Sequence, residues 1–371
     1  MAAATAAPRS SSYDVQLLFP VLLLVGVGIV MIYSASSALA LDRYQDGYHF
    51  LKRQGLFAAA GLVVLVCCRH FPYRLLRALA YPVLFTALAL LVLVLIPGFG
   101  KTAGGATRWI RMGTMTFQPS EVARFALILY MAYSMSRKGD GIRVFSIGFL
   151  PHSVVLVLLA VPILMQPDFG SVVILTLITG TMMFVGGVPM THLAGAAAAV
   201  LPVGAVLALG EEYRVKRLMS FLNPWDYPTT EGYQVIHSLM AFGSGGLEGR
   251  GIGNSLQKLY YLPEPHTDFV FSVIGEELGL VGVSVVVVLY GVILWRSCVI
   301  ARRADEAFGS LLAIGLTVGL FFQVCINMGV TLGLLPTKGL TLPFLSYGGS
   351  SLILNMAAVG ILMNIGAPRR R

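Results

Sequence analysis

The sequence predicts an all-α, polytopic membrane protein with about ten transmembrane helices, and three observations lead there. Of the 371 residues, 57% are hydrophobic and only 12% charged, with a mean hydropathy of +0.80; soluble domains average about 25% charged residues. Ten apolar runs approach or reach the ~20 residues that a helix needs to cross a bilayer. Lys and Arg divide unevenly between alternate connections, which sets an orientation. The formal net charge of +9 is spread over those connections. With no basic aqueous face to gather it, nucleic-acid binding is not expected.

In order, the runs are 15–36, 54–68, 75–96, 119–136, 146–165, 169–187, 190–209, 269–295, 308–333 and 347–366. The second is short, and the pair around Gln166-Pro167-Asp168 could form one broken hairpin. Pro82, Pro162, Pro202 and Gly319 fall inside runs without ending them, because neighbouring helices can satisfy freed backbone groups. Arg9, the first run and Ala38-Leu39-Ala40 together imitate a signal peptide. The run from Val15 continues to Tyr33, however, beyond the ~7–15 residues of a signal's apolar core, so an uncleaved first span is expected. Cys67, Cys68, Cys298 and Cys325 lack metal-site spacing and are expected as small core residues. No repeat, low-complexity tail or soluble domain interrupts the chain, which is expected to form one membrane domain over 1–371.

With the N-terminus placed in the cytoplasm, inner segments hold Arg9, Arg69, Arg74, Arg77, Arg137, Lys138, Arg143, Arg296, Arg302, Arg303, Arg369, Arg370 and Arg371. Short outer loops hold Arg43, Lys52, Arg53, Lys101, Arg108, Arg111 and Lys338. The ratio of 13 to 7 puts both termini inside. The long polar loop 210–268, between the seventh and eighth spans, then faces outward. Within it, residues 211–217 are expected to form an amphipathic interfacial segment. Tyr233 to Leu247 is expected to be a re-entrant or surface-lying helix. The Gly-rich stretch that follows lacks the Lys-Ser/Thr ending of a nucleotide loop, and serves equally as a weak phosphate cradle or a hinge.

Ionisable residues are scarce in such a chain, so their clustering is informative. Asp268 directly precedes the run Phe269-Val270-Phe271; partial desolvation there would raise its pKa and suit it to accept a proton. A helix N-cap is the alternative role. Glu264, His266 and Asp268 alternate, so an extended segment would align them, although no metal signature results. Glu276 and Glu277 lie about two turns into the next run and must either line a polar cavity or pair with a cation. Outer loops supply Arg108 and Arg111, Arg124 enters a helix behind Gln118-Pro119-Ser120-Glu121, and Lys338 precedes Ser346-Tyr347-Gly348-Gly349-Ser350-Ser351. Together these describe an outward cavity with one candidate base and several cations. It suits chemistry on an anionic lipid-linked substrate, and equally a transporter gate.

Several runs carry a resemblance: Gly105-Ala106-Thr107-Arg108-Trp109-Ile110, Gln118-Pro119-Ser120-Glu121 and Gln166-Pro167-Asp168-Phe169-Gly170, then Gly251 to Lys258. Tyr261 to Phe269, Ile274-Gly275-Glu276-Glu277-Leu278-Gly279, and Leu335 through Ser351 complete the set. In this order they resemble the SEDS family (FtsW, RodA and SpoVE), whose ten helices match the runs counted above. The wording Thr337-Lys338-Gly339-Leu340-Thr341 is closer to the FtsW division branch than to the RodA elongation branch. The resemblance implies a peptidoglycan glycosyltransferase that polymerises lipid II outside the cytoplasmic membrane, at the division septum, and releases undecaprenyl pyrophosphate. Asp268 matches the family's essential aspartate. Arg108, Lys338 and Arg124 match its cations, with Arg at a position where Lys is common. Glu264, His266, Glu277 and Ser350 are further substrate-binding expectations. A class B penicillin-binding protein transpeptidase and other divisome membrane proteins are the implied partners. A divalent cation, Mg or Mn, could assist at the pyrophosphate, though no dedicated ligand cage is present. A lipid II flippase is the competing class, and a RodA-type elongation polymerase the competing role.

Overall fold

The computed structural model describes residues 13–103, 106–112, 115–210, 212–230, 232–259 and 262–367. Arg9, Gly104, Gly105, Glu211, Tyr261, Arg369, Arg370 and Arg371 lie outside the described residues. Every one of the ten apolar runs is a helix: α1 (Val15–Tyr44), α2 (His49–His70), α3 (Leu76–Leu95), α4 (Pro119–Ser136), α5 (Leu150–Met165), α6 (Phe169–Val185) and α7 (Met190–Leu209). The large loop adds α8 (Glu212–Leu222) and α9 (Tyr233–Gly245), after which come α10 (Val270–Arg303), α11 (Ala307–Thr331) and α12 (Gly349–Ile365). Among the described residues, six helical segments are long and apolar enough to cross a membrane, with Phe169–Val185, Met190–Val200 and Gly349–Ile365 as shorter apolar helices. This is an all-α polytopic membrane protein.

The helices follow local chemistry. Asp14 caps α1 by accepting from the Leu17 amide at 3.3 Å, and Pro119 opens α4 at the first turn, where its missing N–H costs nothing. Pro82, Pro162 and Pro202 sit inside helices. At Gln166-Pro167-Asp168 the chain turns between two separate helices, with Asp168 capping the second. α2 and α12 approach through small residues: a Cβ on Gly360 would stand 2.4 Å from the Leu65 carbonyl oxygen. Close backbone approach of this kind is how helices pack where lipid removes the hydrophobic drive.

The outer loop at residues 100–117 carries a three-stranded antiparallel sheet, β1 (Gly100–Ala103), β2 (Ala106–Met112) and β3 (Met115–Phe117). One expectation needs correction. The cysteines are free thiols, yet Cys67, Cys298 and Cys325 are exposed and Cys68 half-buried rather than in the core. In a spanning helix the outward face is as apolar as the inner one, so apolar neighbours do not imply burial. Tyr233–Gly245 is the helix expected there, α9; Val235, Ile236, Ser238 and Ala241 are buried on the face that packs against α10.

Candidate active site around Asp268

The approach to α10 is built from turns. Residues 262–269 form bends and turns rather than an extended strand, and Glu264 takes a left-handed φ of 51°. Glu264, His266 and Asp268 are therefore not aligned by strand alternation, yet the turns bring the Glu264 carboxylate within 3.8 Å of His266 Nε2. The Glu264 side chain is 59% exposed, whereas His266 is 3% exposed and packed on Phe50, ring centroids 4.4 Å apart. The imidazole Nδ1 has no hydrogen-bond partner among the described residues. Burial, and then the charge of Arg43, hold the His266 pKa down at about 4, so the ring is neutral near pH 7.

Asp268 does not cap the helix that follows it. Phe269 is the N-cap of α10, and no side chain completes that cap. Asp14 and Asp168, by contrast, each accept a backbone N–H in the usual way. Asp268 is half-buried. Its pKa is pushed up to about 7, first by burial and then by the Glu264 carboxylate, while Arg108 pulls it down. A carboxylate with a pKa near the working pH can take a proton and release it again.

Long-range contacts fix the surroundings of Asp268. Asn327 of α11 donates from Nδ2 to the Asp268 carbonyl at 3.0 Å and also to the Leu340 carbonyl. That clamp draws the 338–340 segment onto Asp268. A Cβ on Gly339 would stand 2.9 Å from Asp268 Oδ2, so glycine lets backbone approach the carboxyl directly. Lys338 lies half-buried in the same segment, its ammonium 5.5 Å from the Phe169 ring centroid. At the same turn before α6, Arg108 of β2 donates from Nε to the Gln166 carbonyl at 3.1 Å and also to the Pro167 carbonyl. Strand alternation sends Arg111, three residues on and exposed, to the opposite face from Arg108.

Arg124 occupies a second polar layer. Its Nη2 donates to Glu121 Oε2 at 2.6 Å and its Nη1 to Gln323 Oε1. Gln323 then donates to the Thr341 carbonyl at 3.0 Å and to Ser351 Oγ at 3.3 Å. Ser350 is buried in the first turn of α12 beside that layer. Gln323 and Asn327 stand one helical turn apart on α11, so a single helix face links the Arg124 layer to the Asp268 clamp. Sequence reasoning passed over both, although polar side chains four residues apart within an apolar span signal an inward polar stripe.

Glu277 is not brought to this group. It is fully buried and accepts from Ser34 Oγ at 2.7 and 2.8 Å and from Lys258 Nζ at 2.8 Å. Glu276 beside it accepts from the Leu256 amide at 3.0 Å, the Gln257 amide at 3.3 Å and the Ser255 hydroxyl. Of the two roles open to these carboxylates, pairing with a cation from elsewhere is the one the geometry shows. Among the described residues no group of three or more His, Cys, Asp or Glu side chains is placed to hold a metal ion.

The family model described as a cell cycle protein, covering FtsW, RodA and SpoVE, matches residues 15–371. The chain belongs to this family. It is 48% identical to a probable peptidoglycan glycosyltransferase FtsW of Trichlorobacter lovleyi, over 97% of this chain and 94% of that one. The stage V sporulation protein E of Bacillus subtilis is 41% identical over 96% of this chain and 98% of its own length. Among solved structures, a chain of a peptidoglycan synthase complex that coordinates polymerization and crosslinking superposes with a TM-score of 0.80. It is 33% identical, with 96% of this chain and 98% of that one covered.

Proposed function

We propose that this chain is a peptidoglycan glycosyltransferase of the FtsW type, polymerising lipid II in septal wall synthesis. The observation that carries the reading is the Asp268 carboxyl, not used as a helix cap and with its pKa pushed up to about 7, beside Gly339 and under the charge of Arg108. Asp268 takes the proton from the 4-hydroxyl of the acceptor GlcNAc as that oxygen bonds the anomeric carbon of the donor MurNAc. The bond from that carbon to the phosphate oxygen breaks, and undecaprenyl pyrophosphate leaves. Arg108 and Lys338 stabilise the charge developing on the pyrophosphate, with Arg124 behind them. Because the leaving group is already activated, one carboxylate is enough, unlike the pair used by ordinary glycosidases. His266 offers a neutral ring and Glu264 a carboxylate at the rim, while Ser350 lines the α12 side.

The excess of Lys and Arg in alternate connections supports cytoplasmic termini and an outward Asp268. The relatives named FtsW support a place at the division septum. The similarity to a chain from a complex that joins polymerization to crosslinking supports a class B penicillin-binding protein as the transpeptidase partner.

The test is polymerisation of purified lipid II by the detergent-solubilised protein, alone and with its transpeptidase, beside Asp268→Ala. Glycan strands from the native chain and not from the variant are expected. Lipid II scrambling in liposomes, without strands under any partner condition, would move the assignment to a flippase.

A further inference from the structure

Helices α1, α2, α10 and α12 border the Asp268 region at one end and line a separate open cavity at the other. The cavity has a volume of about 350 Å³, and Tyr13, Asp14, Arg69, Arg296 and Met363 contribute to its lining. Arg69 stands in the last turn of α2 and is only 7% exposed. Its Nε has no hydrogen-bond partner, and no carboxylate pairs with it, among the described residues. Its guanidinium lies instead 5.8 Å from the Tyr13 ring centroid. Arg296 is placed differently, with its Nε donating to Asp14 Oδ2 at 2.8 Å. The cavity thus holds two guanidinium groups and one carboxylate, and that carboxylate is committed to Arg296.

A buried cation without a counter-charge is costly, and a long side chain at a helix end can ordinarily snorkel to water instead. Complementing the α2 dipole explains a basic residue in that turn. It does not explain the inward burial of Arg69, since the neighbouring exposed His70 serves the same end. Among the described residues this charge is unmatched beside an open cavity, a place that suits an anion.

We propose that this cavity is a binding site for the phosphate group of an anionic ligand, held between Arg69 and Arg296. Planar guanidinium forks match phosphate oxygens in pairs, and basic pockets between spans accept anionic headgroups. The site is independent of the polymerase reading, because it lies at the far end of the helices from Asp268.

Full-length protein in phosphatidylcholine nanodiscs is melted with and without phosphatidylglycerol in the bilayer, and separately with inorganic phosphate in solution. A rise in Tm with phosphatidylglycerol alone identifies a lipid headgroup; a rise with inorganic phosphate identifies a soluble phosphate compound. In either case Arg69→Gln loses the rise, while Lys52→Gln, at the opposite end of the bundle, keeps it. An equal rise in folded Arg69→Gln, or no rise with either ligand in the native chain, overturns the proposal. Should Arg69→Gln not fold, Arg296→Gln replaces it. Native mass spectrometry of the unaltered protein must then show phosphatidylglycerol retained over phosphatidylcholine if only the lipid raised Tm; equal retention also overturns the proposal.

Discussion

Two sets of carboxylates lie within ten residues of each other around the start of α10, and the chain treats them in opposite ways. Glu276 and Glu277, fully buried, meet hydroxyls, backbone amides and the Lys258 ammonium. Through them, residues 250–258 are tied to α1 and to the break in α10 at Gly279. Asp268 caps nothing, is only half-buried and has its pKa raised to about 7. Buried charge that is fully paired holds structure; charge left underpaired in a cleft is held ready for chemistry. Membrane proteins concentrate both kinds in few places, so burial alone does not separate them. The hydrogen-bond partners do.

The comparison is broken most directly at its reactive end. Replacing Asp268 by Asn should lower lipid II polymerisation by about 10²–10⁴-fold, the usual loss on removing a positioned base. Stability should move the other way. A carboxyl whose folded pKa is raised stabilises the fold below the ordinary carboxylate range and loses that contribution as pH rises through about 7. Asp268→Asn should therefore melt no earlier than the native chain at about pH 8, and gain on it relative to about pH 5. Thermal denaturation of the two proteins across that range checks this; an unstable variant would make Asp268 a structural residue.

At the paired end the expected cost is in folding. Lys258→Met strands Glu277 in the interior, where removing one partner of a buried pair costs about 3–5 kcal/mol. The double variant Lys258→Met with Glu277→Gln should recover much of that loss, because no uncompensated charge remains. Melting temperatures in one detergent test it, and equal destabilisation of the single and double variants would remove the ion pair from the account. A smaller effect is expected at the kink. Gly279 has φ 62° and ψ −162°, and a Cβ there would stand 2.4 Å from the Gly249 nitrogen. Gly279→Ala should cost about 1–3 kcal/mol, the range for a residue forced into sparsely populated backbone space.

How much of this was legible in the sequence depends on the range of the forces involved. The ten helices were, because each is a local run of apolar residues, and Asp268 stood out as an ionisable group at the edge of such a run. The sheet at residues 100–117 was not, since its short Gly- and Thr-containing strands carry too few residues to show a period. Glu277 was expected at the substrate because its sequence position, two turns into a span, fits a cavity wall as well as an ion pair. Only the fold reveals that Lys258 and Ser34 reach it. The Asn327 clamp joins segments 59 residues apart in sequence, and no local pattern specifies which carbonyls it finds. His266 and Glu264 do come together, the Glu264 carboxylate 3.8 Å from His266 Nε2, but through turn geometry with a left-handed Glu264 rather than the extended segment that alternation suggests.

The finest test of the contrast uses Glu264, whose carboxylate is exposed yet acts on Asp268 through charge. As a general base Asp268 works only when ionised, so kcat/KM should rise with pH along a limb centred near 7. Burial sets most of that elevation, and the Glu264 charge adds to it. Glu264→Gln removes a negative neighbour without altering burial, so the limb should move to lower pH while the plateau rate stays close to native. Arg108→Gln removes a positive neighbour, and its limb should move to higher pH, with the plateau also falling because a phosphate-facing cation is lost. Opposite displacements in the two variants would tie the titrating group to the carboxyl between them. A limb that stays in place in both would mean that the rate follows some other group, and Asp268 would then have to act other than as the base.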